Sequence, residues 1–138
     1  DTIQAAILRI KLRQLDNYID ARRSVAAAYD AAFAQLPGVE IPFRASDSRH
    51  VFHQYTLKLT SHSRAALQAH LQAAGIPSMI YYPIPAHRQN MFSKFNLGHL
   101  HLPLTEALCE QVISLPIHTE MDEQQLDYII QHVLSFFK

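Results

Sequence analysis

Hydrophobic residues in the first quarter of the chain recur every three or four positions, which is the period of an α-helix. Thr2 to Leu36 contains no glycine or proline and is rich in residues that favour helix. Such a helix would be roughly 50 Å long, more than a compact domain of this size needs. The pattern therefore predicts a long N-terminal helix whose apolar stripe, including Ile3, Ile7 and Ile10, rests partly on something outside this chain.

Alternating apolar and polar residues predict strands in the centre of the chain. The clearest strand is predicted at Val51 to Leu59, and shorter strands are predicted at Val39 to Phe43, Pro77 to Tyr82 and Val112 to Leu115. The predicted apolar face of the Val51 to Leu59 strand comprises Val51, His53, Tyr55, Leu57 and Leu59.

Two more helices are predicted from their capping residues. Ser61 or Ser63 can cap a helix that runs to about Ala74, because serine hydroxyls accept from the first free amides of a helix. Asp122 begins the last helix, and Gln125 three residues later completes a capping box.

The segment between the last two predicted strands has no sustained period. Pro83 to Pro103 is predicted to be a long loop, and a short helix follows at Leu104 to Glu110. This order of elements predicts an α+β fold, with a small antiparallel or mixed sheet of three to four strands and helices packed on one face. At 138 residues the chain is expected to form a single domain, residues 1–138.

Composition narrows the function classes. Twelve basic and twelve acidic residues balance, which argues against nucleic acid, a partner that requires clustered positive charge. No apolar run approaches the roughly 18 residues of a membrane-spanning helix, so no membrane partner is expected. The single Cys109 excludes an internal disulfide framework and fits a reducing compartment, so the cytoplasm is the expected location. The chain begins at Asp1, directly at a helix start, and is expected to be part of a longer protein.

Nine histidines raise the question of a metal site. Zinc requires three or four converging ligands, whereas His50 and His53 would point to opposite faces of a strand. No metal is therefore expected. His53, on the predicted apolar face, is either an interior hydrogen-bonded histidine or a ligand.

The segment from Tyr81 to Gln89 concentrates polar chemistry at the exit of a strand. Tyr81, Tyr82, His87, Arg88 and Gln89 supply two phenols, an imidazole, a guanidinium and an amide. Such groups can stack on and hydrogen-bond a sugar or meet a phosphate. Alternatively, the tyrosines divide between core and surface while the remaining side chains decorate a loop.

Short blocks along the whole chain resemble the C-terminal part of the DegT/DnrJ/EryC1/StrS sugar aminotransferases. The most specific is Tyr81-Tyr82-Pro83-Ile84-Pro85-Ala86-His87-Arg88-Gln89, although many members have histidine where Tyr81 stands. The other blocks are Ile3-Gln4-Ala5-Ala6-Ile7-Leu8 with Lys11-Leu12, Arg22-Arg23, Tyr29, His53-Gln54-Tyr55, Leu71 through Gly75-Ile76-Pro77, Leu102-Pro103, Glu106 and Ser114-Leu115-Pro116-Ile117.

The resemblance implies the C-terminal small domain of a fold-type-I transferase that depends on pyridoxal 5'-phosphate. The parent enzyme would transfer an amino group from glutamate to a nucleotide-linked keto-sugar, with a UDP-sugar preferred, in surface polysaccharide or lipopolysaccharide biosynthesis. A homodimer is expected. The catalytic lysine and most cofactor ligands would lie in the preceding large domain, so this chain is expected to be inactive alone and not to bind the cofactor.

The resemblance also implies substrate-side roles for six residues. The positions that match are Tyr81, Tyr82, His87, His53, Arg88 and Gln89. The alternative function is a stand-alone α+β ligand-binding or regulatory module that dimerises through its long helix.

Overall fold

Three short antiparallel strands form the centre of the structure, a computed structural model that describes residues 1–97 and 99–138. β1 (Val39–Glu40) pairs with β2 (Tyr55–Leu59), and β2 pairs with β3 (Val112–Leu115). The register sets Tyr55 opposite Leu115 and Leu57 opposite Ile113, and all four side chains are buried. Because side chains alternate along a strand, this register gives the sheet one apolar face and one polar face.

Five α-helices are described. They are α1 (Thr2–Lys11), α2 (Leu15–Phe33), α3 (Arg64–Ala73), α4 (Pro103–Gln111) and α5 (Glu123–Phe136). Short 3₁₀ turns occupy Leu12–Gln14, Ala86–Arg88, Asn90–Phe95 and Leu97–His99.

The core lies between the apolar face of the sheet and the helices α2, α3 and α5. These helices contribute side chains from stripes three or four residues apart, as amphipathic helices do. Tyr29 of α2 packs its ring 4.9 Å from that of Tyr55. Full burial of each leucine stabilises the fold by about 1.5–3 kcal/mol. The predicted α+β architecture, with helices on one face of a small sheet, is confirmed. The buried helical residues are Val25, Ala26, Tyr29, Phe33, Leu67, Leu71, Ile129 and Val133.

The N-terminal helix differs in detail from the predicted continuous helix. A 3₁₀ turn at Leu12–Gln14 separates α1 from α2, and α2 ends at Phe33 instead of Leu36. Residues 1–17 are all exposed, so no packing surface holds this stretch to regular α geometry. The predicted apolar stripe is open to solvent, with Ile3 74% and Ile10 66% exposed.

Three of the four predicted strands are longer than the observed pairing, and the strand predicted at Val51 to Leu59 begins only at Tyr55. Val39 to Phe43 pairs only over Val39–Glu40, and the missing amide of Pro42 is consistent with the early end. Pro77 to Tyr82 is not a strand but contributes one antiparallel bridge, between Met79 and Ser114. Val112–Leu115 agrees with the prediction.

The predicted caps are confirmed. The Ser63 side chain accepts a hydrogen bond from the amide of Ala66 at the start of α3. Asp122 and Gln125 form the reciprocal capping box of α5. Because both signals are local in sequence, they can be read without knowledge of the tertiary fold.

Among the residues that the structure describes, no helix is long and apolar enough to cross a membrane.

Candidate functional site

A pocket of about 170 Å³ opens on the polar side of the sheet. His53 and Gln54 come from the segment before β2, and Tyr81 follows the Met79 bridge. Ser114 of β3 contributes a hydroxyl that lies 2.7 Å from the hydroxyl of Thr56. We call this the sheet-face pocket; its lining is His53, Gln54, Pro77, Met79, Tyr81, Ser114, Leu115, Pro116 and Ile117.

A second, more open pocket of about 450 Å³ shares His53 and Gln54 with the first. Tyr82 forms one of its walls, and we call it the Tyr82 pocket. Because two residues line both pockets, they form one continuous polar surface that carries imidazole, phenol, amide and hydroxyl groups. The lining of the Tyr82 pocket is Pro42, His50, Val51, His53, Gln54, Thr56 and Tyr82.

His53 lies on this surface because the chain reverses its alternation just before β2. Phe52 has a left-handed backbone, with φ 49°, and is fully buried, whereas His53 is exposed. The placement of His53 and Val51 on the apolar face is therefore wrong, and the interior reading of His53 fails with it. The two carbonyls of Phe52 and His53 accept from Nη1 of Arg22 at 3.4 and 3.3 Å. The carbonyl of His50 accepts from Nη1 of Arg23 at 2.9 Å. Two neighbouring side chains of α2 thus hold the segment by its main chain.

Tyr82 adopts an unusual backbone at the other wall of the site. Its φ of 60° is left-handed, and Pro83 follows it directly. A residue other than glycine in this conformation costs of order 1–3 kcal/mol and requires surrounding structure to hold it. The ring itself is 80% exposed, so burial of the ring contributes little to holding this conformation. Tyr82 lines the Tyr82 pocket, and Phe52 lies between two residues that line it, Val51 and His53. Both aromatic residues have a left-handed backbone.

His87, Arg88 and Gln89 lie elsewhere. Within the described residues they line neither pocket. The His87 side chain is only 6% exposed, and its Nε2 lies 3.1 Å from Oε1 of Glu106. Arg88 Nη2 contacts the same oxygen at 2.9 Å. Gln89 Nε2 donates to the carbonyl of Ile84 at 3.2 Å. The structure thus brings His53, Tyr81 and Tyr82 together and separates the other three predicted residues from them.

Four groups contact the carboxylate of Glu106, and His87, Arg88 and the amide of Leu102 donate hydrogen bonds to it. The amide of Leu102 donates to Oε1 at 3.1 Å, and His101 Nδ1 lies 3.2 Å from Oε2. The bond from Leu102, with those from His87 and Arg88, outweighs partial burial and lowers the pKa of Glu106 to about 2. Glu106 is therefore ionised at neutral pH.

Several polar residues of the site were not predicted from chemistry alone. His50, Gln54, Thr56 and Ser114 face the site, and Glu106 organises the loop beside it. The alternation along β2 contains a signal for one of them, since Thr56 lies on the strand face opposite Tyr55 and Leu57. The position of Glu106 carries no such signal, because its partners are brought together by the turns of the loop.

The four lysines do not fit an internal aldimine with pyridoxal phosphate. A Schiff-base lysine requires desolvation or a neighbouring charge that lowers its pKa. Lys11, Lys94 and Lys138 are exposed. Lys58 Nζ lies 3.1 Å from both carboxylate oxygens of Glu40 and is engaged in that ion pair. No group of three or more described His, Cys, Asp or Glu side chains is arranged to hold a metal ion.

Comparison with known proteins places this geometry in context. A model of the DegT/DnrJ/EryC1/StrS aminotransferase family matches residues 1–134. A UDP-N-acetyl-3-dehydro-α-D-glucosamine 3-aminotransferase of Acidithiobacillus ferrooxidans is 40% identical over 91% of this chain and 33% of its own length. A dTDP-3-amino-3,4,6-trideoxy-α-D-glucose transaminase of Streptomyces venezuelae is 35% identical over 96% of this chain and 35% of its own. The chain thus spans about a third of these relatives.

Solved structures agree in fold. A DegT DnrJ EryC1 StrS aminotransferase from Brucella abortus superposes with a TM-score of 0.87 at 36% identity, covering 99% of this chain and 36% of that one. The S. venezuelae protein DesV, in complex with a ketimine intermediate, superposes with a TM-score of 0.90 at 34% identity, covering 98% and 36%.

Proposed function

The chain belongs to the DegT/DnrJ/EryC1/StrS aminotransferase family, and from this premise we propose that it is the C-terminal small domain of a sugar aminotransferase. The complete enzyme transfers an amino group from glutamate to a nucleotide-linked keto-sugar. Support for the domain assignment comes from the length of the relatives, of which this chain matches 33–37%. The remaining two thirds leave room for a large domain.

The observation that carries the proposal is the continuous polar surface of the sheet-face pocket and the Tyr82 pocket. His53 and Gln54 line both pockets, while Tyr81 lines the sheet-face pocket and Tyr82 the Tyr82 pocket. Aromatic faces pack against sugar rings, while imidazole and amide groups hydrogen-bond their hydroxyls. This chain therefore binds and orients the sugar nucleotide in the complete enzyme.

The cofactor of the complete enzyme is pyridoxal 5'-phosphate, which supplies the electron sink for amino transfer when it is bound. The lysines of this chain do not suit the cofactor, because three are exposed and Lys58 is paired with Glu40. The catalytic lysine and the cofactor phosphate site therefore belong to the part of the protein that this chain does not include, and this chain alone is inactive.

We assign a UDP-sugar as the substrate. Two of the relatives are named for UDP-sugars: the A. ferrooxidans protein, at 40% identity, and a UDP-2-acetamido-2-deoxy-3-oxo-D-glucuronate aminotransferase of Pseudomonas aeruginosa, at 36%. The dTDP-sugar enzyme of S. venezuelae is 35% identical. These differences are small, and the preference also rests on the tyrosine-proline block at Tyr81–Pro85. The setting proposed is a cytoplasmic homodimer that supplies amino sugars for lipopolysaccharide or other surface polysaccharide.

The test uses the complete enzyme and measures its two half-reactions separately. Tyr82→Phe removes one hydroxyl from the Tyr82 pocket, and Tyr128→Phe on α5 is the matched control outside both pockets. We expect Tyr82→Phe to lower kcat/KM for the sugar nucleotide by about 1–3 kcal/mol, the usual effect of deleting one hydrogen-bonding group from a binding site. The glutamate half-reaction should not change. Equal losses in both half-reactions, or no loss in either, would contradict the site assignment. Failure of the wild-type enzyme to aminate any nucleotide-linked keto-sugar would contradict the function itself.

A further inference from the structure

One carboxylate of α4 gathers the ends of the long loop between Tyr82 and Pro103. Oε1 of Glu106 accepts from His87, Arg88 and the amide of Leu102, and Oε2 lies against His101. Two of these donors lie at the start of the loop and two at its end. The loop, which is longer than connections in compact domains usually are, is thus closed onto a single ionised group.

The His87 contact restricts the state of the imidazole. A carboxylate can only accept, so Nε2 of His87 carries the hydrogen that is shared with Glu106. The His87 side chain is buried. It cannot touch a substrate in this conformation, and its position is set through Glu106.

Only a short, restricted stretch of chain separates His87 from Tyr82, so the position of His87 limits the position of Tyr82. His87 and Arg88 belong to the 3₁₀ turn Ala86–Arg88, and Gln89 reaches back to the carbonyl of Ile84. Between Ile84 and Tyr82 lies Pro83, whose ring restricts the backbone. Tyr82 needs such support, because its left-handed backbone is unfavourable by itself.

We propose that Glu106 is a positioning residue for the sugar-nucleotide site: by closing the loop through His87 and Arg88, it holds Tyr82 in its left-handed conformation beside His53. The proposal rests on the proposed function for what Tyr82 contacts. The closure itself is independent of that function and has its own readout.

The experiment compares Glu106→Gln with Glu110→Gln in the complete enzyme. Both variants remove one carboxylate charge from α4, and Glu110 is exposed at the far end of the helix. The first readout is the ring ¹⁵N spectrum of ¹⁵N-histidine-labelled protein, with the His87 signal assigned by its loss in His87→Gln. In the wild type we expect the Nε2–H form of His87. Glu106→Gln should shift this signal toward a mixture of forms, and Glu110→Gln should leave it unchanged.

The second readout is steady-state kinetics with a UDP-linked keto-sugar. Glu106→Gln should raise KM for the sugar about tenfold, the effect of loosening a site held by charge-assisted hydrogen bonds. It should leave the glutamate half-reaction unchanged. If Glu106→Gln does not fold, Glu106→Asp keeps the charge, withdraws it by one methylene, and should change both readouts in the same direction.

The outcomes separate the two claims. An unchanged His87 signal in the Glu106 variant overturns the closure, whatever the kinetics show. A changed signal with an unchanged KM overturns the positioning role, and equal losses in both half-reactions do the same. A wild-type enzyme with no activity on the sugar, but with the His87 signal responding as expected, overturns the proposed function and leaves the closure standing.

Discussion

The hydroxyl of Tyr29 links α2 to Pro116 in the lining of the sheet-face pocket, and the free energy of this contact can be measured. The Tyr29 ring is fully buried, and its Oη donates to the carbonyl of Pro116 at 2.8 Å. Pro116 lines the sheet-face pocket and lies one residue after β3. Burial raises the pKa of Tyr29 well above its ordinary value, so this hydroxyl remains a donor throughout the pH range in which the protein would be studied. Tyr29→Phe removes this bond and keeps the ring.

The expected cost follows from the environment of the two atoms. A neutral hydrogen bond contributes about 0.5–1.5 kcal/mol, and a buried acceptor left without a partner adds to the loss, up to about 3 kcal/mol in total. The bond is partly buried, so we expect a decrease of about 1–2 kcal/mol in the free energy of unfolding. For a chain of this length the decrease corresponds to a Tm lower by about 3–8 °C.

The assay is urea unfolding of the 138-residue chain, followed by far-UV circular dichroism. The midpoint should fall by about 0.5–1 M with an unchanged slope. Tyr128→Phe is the matched control: its hydroxyl donates to the carbonyl of Ala74 at 3.0 Å, but the residue is about half exposed, so water can replace the bond. A loss in Tyr29→Phe no larger than the loss in Tyr128→Phe would refute the reasoning.

Three further predictions concern charge, cofactor and association. The pKa of Glu106 is lowered from its ordinary 4.5 to about 2, so its contribution to stability is complete above pH 4.5 and is lost as pH falls toward 2. The free energy of unfolding of Glu106→Gln should therefore fall less steeply than that of the wild type between pH 4.5 and 2. An equal pH dependence in the two proteins would contradict the assignment. Pyridoxal phosphate followed by borohydride should leave no stoichiometric adduct on any lysine of this chain, as read by mass spectrometry. The exposed stripe of α1 should drive concentration-dependent self-association, which sedimentation should detect and which Ile7→Ser with Ile10→Ser should abolish; a monomer at all concentrations would contradict this.

Local signals in the sequence predicted the parts of the fold that depend on neighbouring residues. Ser63, Asp122 and Gln125 cap their helices as predicted, and the Val112–Leu115 strand has the predicted bounds. In each case the residues that form the interaction lie within a few positions of one another. The alternation of β2 was also correct from Tyr55 onward, because there the register with β3 enforces it.

The errors occur where distant residues override the local pattern. The alternation from Val51 to His53 predicts a strand, but Phe52 turns into the core and Arg22 of α2 holds the carbonyls around it. That contact joins positions 30 residues apart and leaves no trace in the local sequence. Glu106 has the same character, since its partner His87 is 19 residues away. Of the candidate site, Tyr81 and Tyr82 could be predicted from the concentration of polar groups in one segment. That His53 lies beside them could be seen only in the folded structure.

The hydrogen bonds from Arg22 and Arg23 to the main chain before β2 have a consequence for the evolution of the pocket. Both guanidinium groups bind carbonyl oxygens, which every amino acid possesses, and they make these contacts at residues 50, 52 and 53. A substitution at His53 therefore changes the chemistry of the pocket wall and keeps the attachment that shapes it, whereas the imidazole of His50 also accepts a hydrogen bond from the amide of Phe52. The anchoring residues themselves are less exchangeable, because loss of the Arg22 guanidinium would leave two carbonyls without their donor. Mutation at position 53 can thus change the pocket wall while the two arginines preserve the backbone path on which each variant is presented.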